Sequence, residues 1–253
     1  MSVICDNAGP VRVLAMNRPE ARNALNSGLI GTLYAALCEA DDDPSVRAVV
    51  LTGADPAFCA GVDLKEAQRL GKSYFDKFQT ENCITQTARM SKPIIGAING
   101  PVFTGGLEMA LGCDFLIASE RAVFADTHAR VGILPGGGMT ARLPQLVGAA
   151  KARRLSMTGE VIDAARAERI GLVTEVVPHE RLLARAIELA AQIAEVPAPI
   201  MAGLKQIYAT GSAAVTDPAL AAEQAISAAL SDTTDLAARY AEISERNRRQ
   251  IGG

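Results

Sequence analysis

In the stretch "PVFTGGLEMALGCD" (101–114), Glu108 follows a glycine pair and precedes Met109, Ala110 and Leu111, with the nearest basic residues at Lys92 and Arg121. A carboxylate with neither water nor a partner costs several kcal/mol in an apolar interior, or takes up a proton instead. Glu108 therefore sits either on a solvated helix face or in a dry pocket where chemistry needs a poised acid or base. Most glutamates on helices take the first course. His128, one of two histidines in the chain, belongs to the side-chain type that exchanges protons near neutrality. Asp126 shares a face with it if that segment is extended. Three glycine-containing turns lie around these residues, "FCAGVDL" (58–64), "NGPVFTGG" (99–106) and "GILPGGGMT" (132–140). Singly, such turns are mostly connectors. Two of them at the ends of adjacent strands could aim two N–H groups at one oxygen, an oxyanion hole suited to a carbonyl that becomes an enolate.

Other chemistries lack their parts. There is no GxxxxGK[ST] phosphate loop, no GxSxG elbow, and no GxGxxG after the first strand. The five cysteines are scattered, without CxxC or Cys/His ligand spacing, so no disulfide framework and no metal site are expected. Cys59 reads as a small buried thiol and His179, opening a helix after a proline, as a surface residue.

The chain has 253 residues, 49 % hydrophobic and 21 % charged, with a net charge of −3. That is an ordinary globular balance, with no global attraction for nucleic acid or an anionic membrane. The start, "MSVICDNAGP", shows no signal peptide, and the apolar region 93–119 is too interrupted by Glu108, Asp114 and glycines to span a bilayer. A cytoplasmic location is expected. The bases of "SERNRRQ", in the last helix, read as a solvated face.

The elements that must position these residues alternate. Strands are expected at "VRVLAM" (11–16), "VRAVVLTG" (46–53), "PIIGAI" (93–98), "DFLIAS" (114–119) and "LVTEVV" (172–177). Helices are expected over 29–40, from about Ser73 to Met90, from "TGGLEMA", and near 138–157, 163–170 and 179–195. Strands separated by helices argue for an α/β layer built on crossovers. After a proline-broken linker at "EVPAPI" (195–200) the chain is entirely helical and alanine-rich, which requires a surface to pack on.

Taken together, "NRPEARNALN" (17–26), "FCAGVDL", "NGPVFTGGLEMALGCD" and "GLVTEVV" (171–177), in that order and spacing, resemble the enoyl-CoA hydratase/isomerase (crotonase) family over essentially the whole chain. The resemblance implies an α/β fold, a spiral of ββα units over 1–197 carrying an acyl-CoA site. It also implies a helical C-terminal region, 198–253, that packs on the core and on neighbouring subunits in a homotrimer or a hexamer of paired trimers. It places the two oxyanion-hole amides on Val62 and Gly105, and the CoA contacts at Ala21, Arg22, Ala24, Ala60, Asp63 and Leu64. It places Glu108 on one of two glutamates with which hydratases handle water. The other falls on His128 in "FADTHARVGILPG" (124–136), where the histidine either transfers a proton or shapes the pocket. Thr104 replaces a family glycine, Glu20 a common basic residue, and the tail "ARYAEISERNRRQIGG" (238–253) departs from the usual ending.

The reading that follows is a 2-enoyl-CoA hydratase, a lyase of fatty-acid metabolism. Glu108 and His128 are its candidate catalytic residues, and it has no metal or redox cofactor because coenzyme A arrives with the acyl-CoA thioester. Two rivals stand beside it: a Δ3-Δ2 enoyl-CoA isomerase or another reaction of the family, and a non-catalytic acyl-CoA-binding paralogue.

Overall fold

A computed structural model describes residues 1–230. The expected features at 231–253, including "SERNRRQ" and the tail, lie outside the described residues. The chain begins with β1 (Val3–Ala8) and β2 (Val11–Met16), then α1 (Ser27–Asp42) and β3 (Ala48–Gly53). Three short helices follow, α2 (Leu64–Leu70), α3 (Lys72–Thr80) and α4 (Cys83–Arg89). Next come β4 (Ile94–Ile98), β5 (Val102–Phe103), α5 (Gly105–Leu111), β6 (Phe115–Ser119) and β7 (Val123–Ala125). The chain continues through α6 (His128–Val131), α7 (Met139–Val147), α8 (Ala149–Thr158), β8 (Ile162–Asp163), α9 (Ala164–Arg169) and β9 (Glu175–Val177). It closes with α10 (Leu182–Glu195) and α11 (Ala198–Leu230).

The main sheet has the order β1-β2-β3-β4-β6-β9, antiparallel between β1 and β2 and parallel elsewhere. β3 and β4 are buried along their whole length, as continuous apolar runs demand when both faces are covered. On one face Val13, Val50, Ala97 and Ile117 meet Leu182, Ala186 and Ala190, one stripe of α10 at four-residue spacing. On the other, Val49, Leu51 and Ile98 pack with Leu29, Ile30, Leu33 and Leu37 of α1. α1 starts where Asn26 Oδ1 accepts the Leu29 amide at 2.8 Å and stops at Asp43, which precedes a proline.

A second ladder runs beside the first. β5 pairs with β7 and β7 with β8, and single bridges extend it from Val102 to Cys59 and from Val62 to Leu25. Successive turns of the chain read β2–Leu25–α1, β3–(Cys59, Val62)–α2, β4–β5–α5 and β6–β7–α6, which is the spiral of ββα units.

The expected helix from Ser73 to Met90 breaks at Glu81 because Asn82 caps a new one, accepting from the Thr85 amide at 3.1 Å. The helix near 138–157 breaks at Gly148, which adopts φ +83. The edge strand β1 had no expected counterpart. His179, expected at the surface, is half-buried: its Nδ1 meets Ser119 Oγ and its Nε2 meets Asp55 Oδ2, each at 3.0 Å, so the ring ties the start of α10 to the ends of β3 and β6. α11 turns through 108° from α10 and packs on α7. It leaves Ile207, Tyr208, Val215 and Ile226 exposed. Among the described residues no single helix is long and apolar enough to cross a membrane.

Candidate active site

The two glycine turns interlock. Phe103 N donates to Cys59 O at 3.0 Å. At Gly106 a β-carbon would fall 2.4 Å from Cys59 O, so only glycine lets the start of α5 press against the 59–62 strand. Gly61, at φ +92, faces Thr104 so closely that an added β-carbon would lie 1.9 Å from its hydroxyl. This packing brings the residues that precede Val62 and Gly105 against one another.

Leu25 donates to Gly61 O and accepts from Asp63 N, at 2.8 and 3.3 Å. In a parallel ladder that register spends the groups on either side of Val62 and turns Val62 N–H away from Leu25. Gly105 opens α5, where the first amides have no partner within the helix. Two amides on interlocked turns, both outside the ladders, are the arrangement an oxyanion requires.

Glu108 does not lie on a solvated face. It is 3 % exposed. Its Oε1 accepts from Gly137 N at 2.8 Å and Met139 N at 3.3 Å, in the loop before α7. Its Oε2 faces His128 Nε2 at 3.6 Å. Burial pushes the Glu108 carboxyl above the usual carboxylate range; His128 and the two loop amides act against that, and Glu223 adds to it.

Asp126 completes the set. The 126–128 segment is a turn at the mouth of α6, and Asp126 Oδ1 accepts from His128 N at 3.2 Å and meets His128 Nδ1 at 2.7 Å. A carboxylate only accepts, so Nδ1 carries its proton toward Asp126, and Nε2 is the atom that gains or loses a proton toward Glu108. Burial works against the imidazolium, but Glu108 and Asp126 outweigh it and hold the His128 pKa above its ordinary value. Burial would likewise raise Asp126, yet the hydrogen bond and charge of His128 keep it below the ordinary range.

Ala60, Val62, Leu64, Thr104, Thr127 and Ile133 form the wall of a small cavity beside the two turns. Ala60 N also donates to Arg22 O at 3.0 Å, which joins the 21–24 turn to that wall. In the turn, Arg22 is exposed, Ala21 half-buried and Ala24 buried. The Asp63 carboxylate is already engaged, capping α2 at the Glu66 amide (3.2 Å) and pairing with Arg18 (3.0 Å), so only its backbone can face a ligand. Cys59 is no nucleophile, since burial pushes its thiol up to about 12. No cluster of metal-ligating side chains occurs among the described residues.

Two groups at the site carried no signal of their own in the sequence. Glu223 of α11 accepts from Gly138 N at 2.6 Å and from Thr140 N at 2.7 Å. Arg142 Nη1 donates to Gly137 O at 2.8 Å. An acid within "ALAAEQAIS" and a base in an amphipathic helix read as solvated face.

The family model for enoyl-CoA hydratase/isomerase matches residues 6–248. A probable enoyl-CoA hydratase of Rhizobium meliloti is 38 % identical over 205 residues, 79 % of this chain and 79 % of that protein. A mitochondrial enoyl-CoA hydratase of Pongo abelii is 42 % identical over 187 residues, covering 73 % of this chain and 63 % of that one. The crystal structure of an enoyl-CoA hydratase from Mycobacterium smegmatis superimposes with a TM-score of 0.83 at 45 % identity, over 92 % of this chain and 100 % of that chain.

Proposed function

The chain belongs to the enoyl-CoA hydratase/isomerase family, and from that premise we propose that it is an enoyl-CoA hydratase, adding water across the double bond of a 2-enoyl-CoA thioester. The observation that carries this reading is a buried carboxylate, Glu108, with one oxygen fixed by loop amides and the other facing His128 at 3.6 Å, beside the paired turns.

In this mechanism Val62 N–H and Gly105 N–H donate to the thioester oxygen, which makes the β-carbon electrophilic and stabilises the enolate that forms. Glu108 Oε2 takes a proton from water as the water oxygen bonds to the β-carbon. The α-carbon then gains a proton from that same water or from His128 Nε2. In the second case the proton left on Glu108 returns to His128, so both groups end as they began and the net addition is one water. The raised pKa of Glu108 suits a base that must give its proton back. Asp126 holds the ring with Nε2 toward Glu108. The chemistry calls for no metal or redox cofactor, since coenzyme A arrives as part of the substrate. Backbone of Ala60, Asp63 and Leu64, with Ala21, Arg22 and Ala24, would receive the CoA moiety; Arg22 offers an exposed cation for its phosphates.

The histidine in place of a second carboxylate favours one alternative, Δ3-Δ2 isomerisation, in which a single acid–base group moves a proton between the α- and γ-carbons. Incubation with crotonyl-CoA and with 3-enoyl-CoA substrates, followed by mass, tests the assignment. Mass gain of one water identifies a hydratase, an isomeric product of unchanged mass an isomerase, and binding without turnover a paralogue that has lost catalysis.

Assembly belongs to the same proposal. The apolar side chains that α11 leaves exposed, Ile207, Tyr208, Val215 and Ile226 among them, support a homotrimer or a pair of trimers in which that helix is covered.

A further inference from the structure

We infer that Glu223, reaching from the C-terminal helix α11, is a positioning residue for Glu108: it holds the 136–140 loop so that the loop's amides fix one oxygen of the acid–base carboxylate. The inference rests on the role of Glu108 proposed above.

The two carboxylates bind alternate amides of one short segment. Gly137 N and Met139 N donate to Glu108 Oε1 at 2.8 and 3.3 Å. Gly138 N and Thr140 N donate to Glu223 at 2.6 and 2.7 Å, and the Thr140 hydroxyl adds a bond of 2.5 Å. Amides that point alternately to opposite sides cannot turn toward one carboxylate without leaving the other. Glu223 is the buried residue of α11, 7 % exposed in a helix that otherwise lies largely open. The same helix reaches the loop twice more, through Gln224 to Gly136 O and Ser227 to Leu134 O, each at 3.4 Å.

The loop needs an external hold. Three consecutive glycines, 136–138, have wide backbone freedom and no side chains to pack. Gly138 sits at φ +111, a backbone conformation that residues with a β-carbon rarely adopt. Arg142 fixes the segment from the other side at Gly137 O. Without Glu223, the buried Gly138 amide would lose its acceptor and Thr140, at the exposed rim, its anchor, and the loop would shift to find another partner. Glu108 Oε1 would move with it.

A second consequence is electrostatic. The charged and titratable groups around Glu223 are Glu108 of α5, His128 of α6 and Arg142 of α7, with Arg89 of α4 and Asp217 of α11 beyond Arg142. The negative charge of Glu223 helps raise the pKa of both Glu108 and His128. Its removal lowers both, so the acidic limb of kcat/KM, set by Glu108, moves to lower pH.

The test uses the full-length protein with Glu223→Gln and Glu223→Ala. Crotonyl-CoA hydration is followed across pH, and hydrogen–deuterium exchange is measured over residues 134–140. For Glu223→Ala we expect kcat to fall by about 10²-fold, the cost of displacing a catalytic group by roughly 1 Å, with KM nearly unchanged. Exchange should accelerate in the loop alone. The isosteric Glu223→Gln should shift the acidic limb downward, and it carries the test if the alanine variant fails to fold. Variants with unchanged kcat and pH profile, and only a lower Tm, would reduce Glu223 to a helix cap and overturn the inference. A wild-type protein that hydrates no enoyl-CoA would instead defeat the hydratase assignment. Loop exchange, which needs no turnover, would then decide the tether by itself: unchanged protection in both variants refutes it.

Discussion

Glu108→Gln should remove activity without removing stability, and the site gives both magnitudes. The amide keeps the shape of the side chain and its carbonyl can still accept from Gly137 N and Met139 N, now at 2.8 and 3.3 Å from Oε1. Bonds to a neutral acceptor in place of a charged one lose roughly 1–2 kcal/mol over the pair. Against this, the variant no longer buries a carboxylate, whose effective desolvation penalty is several kcal/mol, only partly offset by His128. The sign follows from the raised pKa. A carboxyl raised on folding contributes stability that is present below its unfolded-state value and lost as pH rises through the folded one. Wild type loses that contribution as pH rises through the raised value, whereas the amide never titrates. Thermal unfolding near pH 7 should give a Tm equal to wild type or higher, on a scale of about 2–4 °C per kcal/mol, and the gain should shrink as pH falls toward about 4. Hydration of crotonyl-CoA should lose at least ~10²-fold in kcat, about 2.7 kcal/mol of barrier. Affinity for a saturated acyl-CoA should hardly change. A variant with near-normal turnover removes Glu108 from the mechanism, and a Tm lowered by more than about 5 °C at neutral pH would mean the carboxylate is structural.

The other predictions concern the neighbouring groups. In Gly105→Val the new β-carbon lies 3.2 Å from Ile84 Cδ1 and the methyls crowd the amide, so activity should fall by at least ~10² while circular dichroism stays that of the folded protein; retained turnover would misplace the oxyanion hole. His128 is held above its ordinary pKa, so its protonated form is present below that raised value and lost as pH climbs through it. His128→Asn should therefore erase the alkaline limb of the pH–rate profile, and an unchanged profile with an altered KM would make the ring a pocket wall. Asp126→Asn removes a charge that helps hold His128 up, so the same limb should move to lower pH, and a profile that stays in place would deny the coupling. Light scattering at micromolar concentration should report a trimer or hexamer, and a stable monomer would refute the role given to α11.

The alternation of strands and helices was legible because periodicity and turn chemistry are local, whereas the spiral came from the family resemblance. Buried strands announce themselves as "AVVLTG" and "IIGAI", and "LIGTLYAALCEA" carries apolar residues at helical spacing. Misread boundaries were also local. Asn82 restarts a helix that apolar spacing alone would run through, and β1 shows almost no buried alternation because it is an edge strand exposed along most of its length. Asp126 was visible only as a neighbour of His128; that it meets Nδ1 depends on the chain leaving β7 and entering α6.

Residue type and spacing determined which groups could do chemistry here: an acid behind a glycine pair, a histidine able to exchange protons, and two turns able to present amides; that the histidine stands in place of a second acid is what the family resemblance implies. Whether those groups meet is a matter of distance in space, and no local pattern encodes it. Glu108 and His128 are brought to 3.6 Å by separate ββα turns packing together. Glu223 arrives from 85 residues beyond the Gly138 amide it holds. In a chain segment rich in alanine, an acid costs the same to write whether it faces water or a buried amide. Only the docking of α11 against α7 removes the water, and with it the difference between a solvated charge and one that must find its partners.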